Sequence, residues 1–181
     1  MGDEAGGPRV TVSPAQAAER PLIEGLFQFY IYDFSEMEPP GSANFELDPD
    51  GRFGPYPGLD DYWRVPGCDP LLIRVDGHLA GFALVNSHSH RDGGSVARNM
   101  GEFFVVRKHR RAGVATEALR QVLRLHPGRW EVAVVERNAA AKTFWPRAIA
   151  AAPGVTSLER VEGDGAHWRG PIWGFEVAPI G

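Results

Sequence analysis

The residues able to do chemistry concentrate between Asn99 and Leu125. Residues 100–106 are apolar and β-prone, interrupted only by Gly101 and Glu102, and read as a buried strand. Glu102 is the carboxylate of interest. In such a strand burial disfavours its charged form and raises its pKa, the condition for a proton acceptor near neutral pH. The same placement suits a structural carboxylate bonded to a neighbouring tyrosine or arginine. Residues 107–111, RKHRR, are strongly basic. Gly113 then opens a run of helix formers, residues 115–125, with Ala115, Ala118, Leu119, Val122 and Leu123 on one face. The order is strand, basic turn with a glycine, helix. A helix N-terminus presents unpaired N–H groups and a positive dipole end, which favour an anion. Gly113 lets the backbone turn tightly and approach a ligand closely. Alone, a basic run also reads as a solvated turn.

The segment Arg110-Arg111-Ala112-Gly113-Val114-Ala115 fits Arg/Gln-x-x-Gly-x-Gly/Ala and resembles the motif of the GNAT superfamily of N-acyltransferases. A second stretch strengthens it. After the stop signal His126-Pro127-Gly128 comes a strand over residues 130–135, and Asn138 opens a helical segment with Ala141, Phe144 and Trp145. Asn-x-x-Ala-x-x-Phe-aromatic is similar to the second block of the same superfamily. The close likeness covers residues 99–149. More loosely, residues 30–35 and 167–171 look like a bacterial group of acetyltransferases.

The resemblance implies acetyl-CoA as co-substrate. It implies that the backbone amides of Arg111, Ala112, Gly113, Val114, Ala115 and Thr116 wrap the pyrophosphate, with Arg110 beside them. The strand end Phe104, Val105 and Val106 pairs with the pantetheine arm, and Asn138 and Phe144 lie on the pantetheine side. The physics agrees, since charge-assisted hydrogen bonds to a diphosphate are worth about 1.5–3 kcal/mol each. Arg107, Lys108, Arg110 and Arg111 raise the local potential for an anion.

An amine acceptor with a lysine-like pKa of about 10.4 is free base in only about 1 molecule in 2,500 at pH 7. A base, a depressed amine pKa or a water relay must make up that deficit of nearly 5 kcal/mol. Glu102 is the candidate base, although the position best known in the family lies a few residues earlier, nearer Asn99. Many family members carry a tyrosine after the phenylalanine of the second block as the acid for the leaving thiolate. Here that residue is Trp145, whose indole N–H has no useful acidity. Cys68, in Pro-Gly-Cys-Asp-Pro, has no base beside it in the sequence and is a poor covalent relay. Direct attack by the amine in a ternary complex follows, with proximity supplied by binding both reactants.

The remaining elements position these groups. Residues 10–12 read as a first strand. Ser13 caps a helix with Pro14 in its first turn and Gln16 completing a capping box. Leu22, Ile23, Leu26, Phe27 and Tyr30 make its apolar face, and Pro21 is expected to kink or restart it. Tyr30 and Asp33 close the helix where the family places part of the acceptor site, and both are carried as substrate contacts. Residues 36–67, rich in Pro, Gly and Asp, hold Phe45, Phe53, Tyr56, Tyr62 and Trp63. So long a connection carries a short helix near residues 59–63 or folds over the acceptor site as a lid. Residues 71–75 and 79–85 flank Asp76-Gly77 as a β-hairpin.

The connection 86–99 holds His88 and His90, which share a face if extended. With no partner Cys or acidic motif at metal spacing, no metal is expected. Both read first as exposed loop residues, and His88 is carried as a substrate contact. Pro146 is expected to kink or shorten the helix behind Trp145. Residues 157–161 and 172–177 read as closing strands.

The expected fold is therefore a single α/β (α+β) domain over residues 10–181, a mixed, mostly antiparallel sheet flanked by helices, behind a disordered tail at residues 1–9. The 181 residues carry a formal net charge of −4. An acidic chain with one short basic turn suits a small anionic ligand and argues against nucleic acid. No apolar run approaches a membrane span, and the start lacks the apolar core of a signal peptide. Cys68 is the only cysteine, so a reducing compartment, the cytoplasm, is expected. The acceptor is read as a small-molecule amine. A protein or peptide acceptor, or a non-catalytic acyl-CoA-binding module, are the alternatives, the last kept open by Trp145. The resemblance also implies a homodimer, since GNAT proteins often pair.

Overall fold

A computed structural model describes residues 7–91, 93–94 and 96–179. Seven strands and three α-helices follow in the order β1 (Val10–Pro14), α1 (Arg20–Ser35), β2 (Asp69–Val75), β3 (His78–Asn86), β4 (Arg98–Val105), α2 (Val114–Leu125), β5 (Gly128–Ala133), α3 (Ala139–Ala150), β6 (Val155–Glu162) and β7 (Pro171–Val177). The strands form one sheet ordered β1-β2-β3-β4-β5-β7-β6. Every pairing is antiparallel except β4 with β5.

The central strands are apolar on both faces because both faces are covered. Leu71, Ala83, Val85 and Trp130 pack with Leu119, Leu123 and Ile149 of α2 and α3. Leu72, Phe82, Leu84 and Phe104 pack on the other face with Ile23, Leu26 and Phe27 of α1. Asp76 and Gly77 both have positive φ, 51° and 82°, the pair of left-handed residues a two-residue hairpin requires.

Two local expectations are overturned, each at a proline, and a third is met. Ser13 and Pro14 belong to β1, where Pro14 ends the edge strand and needs no donor. The capping box forms at Gln16 and Glu19 instead, ahead of a 3-10 turn at Ala17–Glu19. Pro21 restarts the helix, α1 beginning at Arg20 after the 3-10 turn. It sits in the first turn of α1, where its missing N–H has no intrahelical partner to lose. Pro146 does not end α3, which runs on to Ala150. Trp145, Ala148 and Ile149 are buried around it, so packing outweighs one lost backbone bond.

The 36–67 connection carries a 3-10 helix at Leu59–Trp63. It is fastened to α1: the Gln28 side chain exchanges two hydrogen bonds with the Phe53 backbone, at 2.9 and 3.1 Å. Trp63 Nε1 donates to the Ala15 carbonyl at 3.0 Å. At the N-terminal end, residues 1–6 of the expected tail lie outside the described residues, while Arg9 is tied to Asp76 through its backbone N–H and carbonyl.

Candidate active site

The site begins where two strands part. β4 and β5 pair only at Arg98–Trp130 and Asn99–Glu131. Beyond that point β4 stays bound to β3 as far as Val105, and its other edge opens on a gap. A bulge aims the side chains. Glu102 pairs with Leu84 and Met100 with Val85, leaving Gly101 as the extra residue. Met100 packs on the α2–α3 side and Phe104 on the α1 side. The extra residue breaks the two-residue alternation, so Glu102 shares the α1 face with Phe104 and meets Tyr30. Gly101 has no room for a side chain, since a Cβ there would lie 2.6 Å from Asn86 Nδ2 and 2.9 Å from Tyr62 Oη.

Tyr30 Oη donates to Glu102 Oε2, and Tyr56 from the 36–67 connection lines the same cavity beside that carboxyl. Burial pushes the Glu102 carboxyl up to about 7, against the downward pull of the two tyrosine hydroxyls and of His90. Burial also raises Tyr30 and Tyr56, with the Glu102 charge adding to it. Both therefore stay protonated as donors. Tyr56 meets the Tyr62 ring with centroids 6.5 Å apart, Tyr62 accepts from Asn86 Nδ2 at 2.9 Å, and Asn86 Oδ1 accepts from Asn99 Nδ2 at 3.0 Å.

Between β4 and α2 the chain makes a 3-10 turn at Arg107–His109, then takes positive φ at Arg111, 63°, and Gly113, 77°. Gly113 is the N-cap of α2 and supplies no capping side chain. The first-turn amides of α2 therefore have no side-chain acceptor from the cap. Arg110 donates to the Val105 carbonyl at 2.7 Å, lies over the Phe104 ring and pairs with Asp33. Arg107 Nε also donates to Asp33, at 2.9 Å. Asp33 thus holds the end of α1 to the basic turn, and its carboxylate is already engaged by two guanidiniums.

Across the gap, Asn138 caps α3, its Oδ1 accepting from the Ala141 N–H at 2.9 Å. Phe144 stacks on Phe103 with centroids 6.3 Å apart, and buried Trp145 meets Phe103 edge-on at 5.3 Å. Trp145 is a wall of the gap. A cleft of about 400 Å³ runs along Phe103, Phe104 and Val105 to Arg110, Arg111 and Ala115, with Asn138 and Phe144 opposite. A second cavity of about 360 Å³ continues from it past Glu102 to His88, His90 and Trp168. Both share Tyr30, Phe34, Phe103, Asn138, Ala141 and Trp145. Of the residues singled out by sequence, Val106, Ala112, Gly113, Val114 and Thr116 stand at the strand end and turn without lining the cleft. Exposed His88 lines the second cavity. Tyr56, Tyr62, Asn86 and Asn99 complete the Glu102 network and went unmarked in sequence, where the tyrosines sit among scattered aromatics.

The sequence matches the model of the acetyltransferase (GNAT) family over residues 30–149. The chain is a GNAT acetyltransferase. Solved structures share the fold over more than nine-tenths of the chain at low identity. A GNAT-family acetyltransferase from Streptococcus agalactiae superposes with a TM-score of 0.62 at 16% identity, covering 94% of this chain and 96% of the other. A Salmonella typhimurium acetyltransferase structure holding its cofactor acetyl-CoA gives 0.53 at 17%, covering 95% and 94%. The PaiA N-acetyltransferase of Thermoplasma acidophilum, in complex with coenzyme A, gives 0.59 at 8%, covering 94% and 99%. No curated protein matches the sequence. GNAT acetyltransferases take their acetyl group from acetyl-CoA. Among the described residues, no helix is long and apolar enough to cross a membrane.

Proposed function

We propose that this GNAT acetyltransferase moves the acetyl group of acetyl-CoA to a primary amine of a small molecule, with Glu102 as proton acceptor. The observation that carries the reading is the Glu102 carboxyl, set by the Gly101 bulge at the mouth of the β4–β5 gap and held near pH 7 by burial against two tyrosines.

The residues present fit the co-substrate. The first-turn amides of α2, left without a side-chain acceptor by the N-cap glycine, at a turn where a Cβ on Gly113 would meet nothing within 4 Å, suit a diphosphate. The edge of β4 that leaves β5 turns the backbone groups of Phe103 and the N–H of Val105 toward an amide-bearing arm, the Val105 carbonyl being taken by Arg110. Asn138 keeps its amide NH₂ for the same arm after its oxygen has capped α3. Acetyl-CoA supplies an activated acyl carbon and a thiolate leaving group. The thiolate of an ordinary thiol, pKa about 8.5, departs near neutral pH without a dedicated acid, so Trp145 is compatible with turnover. Glu102, near 7, is ionised in half of the molecules at that pH and accepts the proton the amine must lose.

A small acceptor is favoured by the 36–67 connection. It lays Tyr56 against Glu102 and Phe45 against Phe34, and its hydrogen bonds to α1 keep it over the Glu102 side. The cytoplasm is the proposed setting, on the strength of one free cysteine.

The test is thiol release from acetyl-CoA with a panel of primary amines, for the parent and for Glu102→Gln. Amine-dependent release by the parent, reduced about 100-fold or more in the variant with acetyl-CoA binding intact, is expected. Equal turnover by both would remove Glu102 as the base, and release only with peptide N-termini or protein lysines would move the acceptor to another class.

A further inference from the structure

A second titratable pair reaches the same cavity through its histidine. Glu131 stands in β5 at its last pairing with β4 and is fully buried. A buried carboxylate needs donors, and these come from one short segment. Ser89 Oγ donates to Oε2 at 2.9 Å, and the His90 backbone N–H to Oε1 at 2.7 Å. His90 Nδ1 lies 3.2 Å from Oε1, and Arg91 Nε lies 3.5 Å from Oε2. Burial alone would raise Glu131, but the hydrogen bonds from His90 and Ser89 hold it below its ordinary value. An ionised carboxylate only accepts, so the ring nitrogen facing Glu131, Nδ1, carries a proton, and Nε2 is the ring nitrogen left for exchange with an acceptor. Edge contacts fix the ring between Trp168, at 4.5 Å, and His88, at 4.9 Å. His90 lines the cavity that holds Glu102.

The reaction must dispose of two protons. An ammonium acceptor loses one to expose its lone pair. It loses another as the N–C bond forms and the C–S bond breaks, the electron pair leaving on sulfur. The thiolate takes one proton from solvent, so one is released overall. Glu102 accepts one proton at a time. Resting on the reading of the preceding subsection, we propose that His90, oriented by Glu131, is a second proton acceptor of the acceptor site. Nε2 takes the proton of the arriving ammonium and passes it to water at the exposed end of the loop, where Ser87 and His88 stand. Glu102 takes the proton lost on N–C bond formation. The charged and titratable groups around the ring are Glu131 from β5, Glu102 from β4, and His88 and Arg91 from its own loop. Glu159 of β6 draws Arg91 aside at 2.7 Å, and the Asp164–His167 pair precedes Trp168.

The test compares the parent with His90→Gln, using acetyl-CoA and tyramine, spermidine, glucosamine and kanamycin as acceptors. For whichever amine the parent turns over, kcat at pH 7 should fall about 100-fold in His90→Gln with KM for acetyl-CoA unchanged. The acid limb of log kcat against pH should drop from a slope of 2 to a slope of 1. Nitrogen-15 spectra of the parent should show neutral His90 protonated at Nδ1, a readout independent of any variant's folding. An active parent with an unchanged rate and slope in His90→Gln overturns the inference and leaves the acetyltransferase reading intact. So does an Nε2–H tautomer in the parent. A parent inactive on all four amines contradicts the small-amine reading, and the inference with it.

Discussion

The Tyr30 hydroxyl donates its proton to the Glu102 carboxylate and joins the last turns of α1 to the mouth of the β4–β5 gap. Tyr30→Phe removes a donor that favours the ionised base. A hydrogen bond to a charged group is worth about 1.5–3 kcal/mol, or roughly 1–2 pKa units. Glu102 should then titrate above 7, and the acid limb of kcat/KM should move to higher pH by about one unit. A pH–rate profile of Tyr30→Phe beside the parent checks this; an unmoved limb would separate Tyr30 from the base.

Glu102 also carries a cost in stability. Its ordinary value is 4.5, and in the fold it rises to about 7. Between those values the folded state binds more protons than the unfolded chain, so stability falls as pH rises through that window and the cost is complete above it. Glu102→Gln should therefore be more stable than the parent at pH 8, by about 3 kcal/mol or roughly 6–12 °C in melting temperature, and no more stable at pH 4. Melting curves at the two pH values decide it.

Gly101→Ala should damage both the fold and the chemistry. The new methyl would press on Asn86 Nδ2 and Tyr62 Oη, two links of the network behind Glu102. Overpacking of this kind costs about 1–3 kcal/mol. Denaturant unfolding should show that loss, and kcat should fall further than Tyr30→Phe alone brings it.

Arg110 holds the end of β4 against α1 through the Val105 carbonyl and Asp33. Arg110→Gln should weaken acetyl-CoA about tenfold, the equivalent of about 1.4 kcal/mol, while leaving KM for the amine close to that of the parent. Steady-state kinetics with each substrate varied in turn separates the two.

The strand–turn–helix from Asn99 to Leu125 was legible because period, glycine and basic run agree locally, and the hairpin was legible because Asp76-Gly77 has one favoured geometry. Pro14 and Pro146 were misread because a proline's effect depends on where a helix starts and on what is buried around it. Pro14 closes β1, so the helix starts later than Ser13 suggested and restarts at Pro21, and Pro146 is carried by the packing of Trp145 and Ile149. Glu131, between Trp130 and Val132, shows the same signal as Glu102, a carboxylate in an apolar strand, yet its partners lie 40 residues away in the 89–91 segment. Tyr56 sits in a connection without periodicity, and only the tertiary fold brings it to Glu102. Asp33 was read as an acceptor contact because it ends α1, and the structure pairs it with Arg107 and Arg110.

The central claim is that acetyl-CoA lies along β4 with its diphosphate on the turn before α2. Calorimetric titration of acetyl-CoA into the parent and into Gly113→Asp tests it most directly. The space beside Gly113 is open, so the variant should fold, while its carboxylate would face the diphosphate. The account predicts saturable binding by the parent and its loss in the variant. A folded parent that does not bind, or a variant that binds equally well, would contradict it.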